Sequence, residues 1–87
     1  MSALELVQSR CLRVQRNQGK PPTSLGTPIG VYRRLVAEFR GKGLMAYIHE
    51  SPDPERSYVM VPLWDLKDGL GERAVEVFPD RELCWER

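Results

Sequence analysis

His49 is the single histidine of the chain, with Glu50 beside it and Asp53 close behind. A histidine near carboxylates is ordinary equipment for general acid–base work. These residues fall on or just after an expected strand, where neighbouring side chains point to opposite faces, so His49 and Glu50 do not meet on one substrate. Cys84 and Ser57 are the nucleophiles on offer, and no spacing brings either to His49. Cys11 and Cys84 lie near opposite ends, form no CxxC and make no zinc-binding spacing with His49. Two reduced thiols are expected, in a cytoplasmic setting. Asp65 and Asp68 would need several further oxygen ligands in a defined loop to hold a hard cation. Gly41 and Gly43 follow an expected helix instead of preceding one, so they cradle no phosphate. The expectation is a non-catalytic chain with no cofactor, no metal and no catalytic residue.

The cations carry more. The net charge of +1 hides a division. Residues 1–43 hold eight bases against two acids, a charge of +6; residues 44–87 hold five bases against ten acids, a charge of −5. Such asymmetry points to an anionic partner for the basic half, unless the halves neutralise each other in the fold. Arg33, Arg34, Arg40 and Lys42 cluster on or just after one expected helix, and Arg13 and Arg16 form a ridge on another. Arg56 lies near an expected hairpin tip. Arginines on an exposed helix face contact phosphates or guanine edges, so these seven residues are the nucleic-acid-binding candidates.

The elements that would position them can be read from pattern. Residues 2–16 read as a helix: Leu4, Val7, Cys11 and Val14 recur at spacings of three and four, and Ser2 with Glu5 makes a capping box. A strand over residues 11–15 is the competing reading. Residues 17–26 hold Asn, Gly and a Pro-Pro pair and read as a linker. Residues 27–40 read as a second helix, with Thr27 as N-cap and Pro28 in the first turn. Its apolar stripe is Tyr32, Leu35, Val36 and Phe39, and Gly41 offers a C-cap. A strand over residues 31–40 is the alternative. Alternation then predicts strands over residues 44–50, 57–63 and 73–78, the first two as an antiparallel hairpin; Pro62 ends its strand or marks an edge. Residues 82–85 read as a short strand or turn.

Eighty-seven residues form one small domain. The expected fold class is α+β, with N-terminal helices packed on a three- to four-stranded antiparallel sheet. Its core would be Leu4, Val7, Leu35, Val36, Phe39, Ile48, Val59, Val61, Val75 and Val77. No apolar run approaches a membrane span, and the first ten residues lack the pattern of a secretory signal.

Leu25-Gly26-Thr27-Pro28-Ile29-Gly30-Val31-Tyr32-Arg33-Arg34-Leu35, followed by Gly41-Lys42-Gly43-Leu44, resembles the recognition helix of a winged helix-turn-helix regulator and its exit. The stretch from Ser51 to Val59, with Asp53 and Arg56, is similar to the wing of MarR-type regulators. The resemblance covers about residues 25–63. It implies a small DNA-binding regulatory protein, with Tyr32, Arg33 and Arg34 near DNA and Arg56 as the wing contact. The competing function is a protein-interaction adaptor with a small SH3-like sheet, whose aromatic patch would be Trp64, Phe78 and Trp85 and whose Pro-rich segment 20–28 would be a partner-binding arm. The partner is therefore nucleic acid or a protein; sequence leaves the oligomeric state open.

Overall fold

Ser2 opens the first helix as its capping box predicts. In the computed structural model, which describes residues 2–20, 22–53, 56–62 and 74–85, α1 runs Ala3–Gln18. The Glu5 N–H donates to Ser2 Oγ at 3.1 Å, and the Ser2 N–H donates to Glu5 Oε1 at 3.0 Å. The helix passes Asn17 and stops at Gly19, whose φ of 78° lets its N–H reach the Gln15 carbonyl. Ala3, Val7 and Cys11, spaced by four, are its buried stripe.

The second helix, α2, runs Ile29–Gly41 and buries Tyr32, Leu35 and Phe39. Its start differs from expectation. Pro28 is the N-cap, with no side-chain cap, and Thr27 belongs to the strand before it. That strand, β1 (Ser24–Pro28), takes the end of the expected linker and the expected first residues of the helix. Nothing local favours it, since Gly and Pro are poor strand formers. It exists because it pairs in parallel with β4 (Ala74–Asp80), with Leu25 opposite Val77.

The alternation over residues 44–50 is only partly realised. Met45–Tyr47 form a 3₁₀ turn, and the strand β2 is just Ile48–His49. Tyr47 sets an edge against the Phe39 ring, with centroids 6.1 Å apart. Met45 is left 63% exposed. β3 (Tyr58–Pro62) pairs antiparallel with both β2 and β4, so it is an inner strand, and Pro62 is its last residue. Strand order is β1-β4-β3-β2. The fold is α+β as expected, and the sheet is mixed instead of antiparallel. Residues 81–82 turn, and 83–85 have no regular structure.

Both helices cover one face of the sheet. Val59, Val61, Val75 and Val77 point to it and are fully buried with Leu35 and Phe39. Each such side chain contributes about 1.5–3 kcal/mol by leaving water. Leu4, Val36 and Ile48, expected in this core, are only partly buried at its margin, while Ala3, Cys11 and Tyr32 are inside it. Among the described residues, no helix is long and apolar enough to cross a membrane.

Candidate functional site

One face of α2 does not lie against α1. Successive helical residues are about 100° apart, so the Arg33–Arg34 pair is split between the two flanks of the helix. Arg33, Ala37 and Arg40 look onto an open groove of about 690 Å³. Arg34 shares the other flank with Glu38, which reaches α1. The groove's opposite wall is the end of the sheet: Ile48 in β2 and Glu50 just after it, Ser51 and Ser57 of the hairpin loop, and Pro79 and Arg81 at the end of β4. Ile29, Val36 and the edge of Tyr32 supply apolar surface.

The charges of this groove are unevenly matched. Arg40 and Glu50 form an ion pair across it, both more than half exposed. A pair so solvated is worth about 0–1 kcal/mol. Arg33 and Arg81 have no ion-pair partner among the described residues. Burial, and then the charge of Glu50, raises the pKa of the Tyr32 phenol. Tyr32 is 8% exposed, so it contributes an edge to the groove and little to the outer surface. The Ser51 N–H donates to Ser57 Oγ at 3.1 Å, which leaves the Ser57 hydroxyl proton available.

The other sequence candidates are dispersed. Arg13 and Arg16 are exposed on the second half of α1, and Lys42 is exposed at the C-cap of α2. Arg56 sits in the hairpin loop with Asp53 at 3.7 Å. Of the expected aromatic patch, Phe78 and Trp85 lie among the described residues, and both are partly buried. Phe78 and Leu83 crowd Gly26, where a Cβ would stand 3.6 Å from either side chain. Trp85 packs on the core margin with the Arg10 guanidinium 5.4 Å from its ring centre. Trp64, Asp65 and Asp68 lie outside the described residues.

His49 stacks on Tyr58, the rings 4.7 Å apart and nearly parallel, as a cross-strand pair. Cys11 is buried and Cys84 exposed, both as free thiols. Among the described residues, no three His, Cys, Asp or Glu side chains gather to hold a metal ion. The sequence marks Arg33 and Arg40 as binding candidates, raises Glu50 and Ser57 only for catalysis, and leaves Arg81 and Ser51 unmarked. No local signal marks them, because they meet α2 only through the sheet. Comparisons with protein-family models, with curated proteins and with solved structures found no match.

Proposed function

We propose that this chain is a small, non-catalytic nucleic-acid-binding protein that uses its basic helical layer. One observation carries the reading: among the described residues, most exposed cations of the basic half meet no acid. Arg40 pairs with Glu50, whereas Arg13, Arg16 and Arg33 are exposed with no ion-pair partner among the described residues. Lys42 adds an exposed cation at the end of α2. Exposed cations of this kind gain affinity for phosphates by releasing condensed counterions. Arg34, on the other flank of α2, and Arg56, in the hairpin loop, are the remaining candidates. The resemblance of residues 25–63 to winged helix regulators leans towards the same class of ligand, and transcriptional regulation is the role that fits it. Free thiols at Cys11 and Cys84 suit the cytoplasm.

Titration of the full chain with duplex DNA across salt concentrations tests this. Neutralising three to five phosphates gives a log–log slope of about −2.7 to −4.5. No affinity at low salt, or affinity that ignores salt, overturns the reading. The protein-interaction alternative has its support in the groove, whose walls offer the apolar side chains Ile29, Val36, Ile48 and Pro79.

A further inference from the structure

The groove between α2 and the sheet end shares Arg33 with the proposed nucleic-acid surface, but its apolar lining and its sheet wall give it a different chemistry. We propose that it receives an extended peptide segment from a partner protein, with acidic side chains set between apolar ones. Charge complementarity is the first support. Arg33 on the helix wall and Arg81 on the sheet wall are both unpaired among the described residues, and Arg40 already has Glu50. Two cations among the described residues thus face the groove in excess of the one acid there. The Ser57 hydroxyl adds a neutral donor beside them.

The apolar surface of Ile29, Val36, Ile48 and Pro79 is the second support. A phosphodiester backbone gains nothing from it, whereas alternate side chains of an extended peptide do. Length agrees. From Ile29 to Arg40 the helix rises about 16 Å, the span of about five extended residues. A volume of 690 Å³ lies within the range of small-molecule sites, but such sites enclose most of their ligand and this groove is open.

The probe is a fluorescein-labelled peptide alternating leucine and glutamate, with a leucine–lysine peptide of equal length as control. Polarisation of the full chain is expected to saturate with the glutamate peptide and not with the lysine peptide. Backbone amide shifts should move along α2 and at Asp80 and Arg81. Arg81→Glu should weaken the glutamate peptide about tenfold or more, because it places like charges together. The Arg13→Ala, Arg16→Ala double variant should bind the peptide unchanged while losing affinity for duplex DNA, which separates this site from the nucleic-acid surface. Absence of saturable binding overturns the proposal, and so does equal binding of the lysine peptide. Shifts confined to other elements also overturn it, and this readout needs no variant, so it decides the matter even if Arg81→Glu fails to fold.

Discussion

Glu38, near the end of α2, accepts hydrogen bonds from the backbone N–H groups of Ala3 and Leu4, at 2.6 and 3.2 Å. These are the first two residues of α1. With the Ser2–Glu5 capping box, every N–H from Ser2 to Glu5 has a side-chain acceptor. The carboxylate also opposes the positive end of the α1 dipole. One side chain of α2 thus completes the cap of α1 and fixes how the two helices meet.

Glu38→Ala should therefore cost about 2 kcal/mol, since it strands two partly buried donors. Glu38→Gln keeps one acceptor oxygen and should lose about half as much. Urea denaturation of both variants checks the order; equal stability of Glu38→Ala and the parent chain would exclude a capping role.

Glu5 gives a pH dependence. The Ser2 backbone N–H, and then the Ser2 side chain, hold its carboxyl below its usual value of 4.5. A carboxyl lowered in the folded state stabilises above its unfolded pKa, and that contribution fades as pH falls through the folded value. Thermal melts should thus show a loss of stability below about pH 4.5 that is shallower in Glu5→Gln. Parallel pH profiles for the two chains would remove this group from the acid transition.

Thr27 is completely buried and its Oγ1 has no hydrogen-bond partner among the described residues. A lone buried hydroxyl costs about 1–3 kcal/mol, and valine has nearly the same shape without it. Thr27→Val should raise stability by about 1 kcal/mol, with a shift of about 4–8 °C in melting temperature. A destabilised Thr27→Val would mean that the hydroxyl is hydrogen-bonded in solution.

The two thiols should react very differently. Burial pushes the Cys11 thiol up to about 11, whereas Cys84 is exposed. At about pH 8 an aromatic disulfide reagent should label Cys84 quickly and Cys11 only on unfolding, because the thiolate is the nucleophile. Rapid labelling of Cys11 in the native chain would show that α1 opens readily.

Much of the fold is legible in short stretches of chain. Leu4, Val7 and Cys11 mark α1 by their period, and Ser2 with Glu5 marks its start. Tyr32, Leu35 and Phe39 mark α2, while Val59 with Val61 and Val75 with Val77 mark two strands. In each case the energy that selects the conformation comes from side chains a few residues apart, on one face of one element. The site is less legible. Arg33 and Arg40 stand out as cations on a helix, but their separation from Arg34 and their meeting with Arg81 do not.

Tertiary structure decided what depends on distant partners. Residues 24–26 look like the end of a linker and 27–28 like the start of a helix, yet 24–28 become a strand, because β4 offers them parallel hydrogen bonds from about 50 positions away. Residues 44–50 alternate like a strand, yet only Ile48 and His49 find places opposite β3, while Tyr47 packs on Phe39. The division of charge was fixed by sequence alone. Whether it leaves cations unpaired depends on which side chains the fold brings within reach: Glu50 to Arg40, and no acid among the described residues to Arg33 or Arg81. Periodicity records the energy of one element against a generic core, whereas pairing and charge matching are energies between elements.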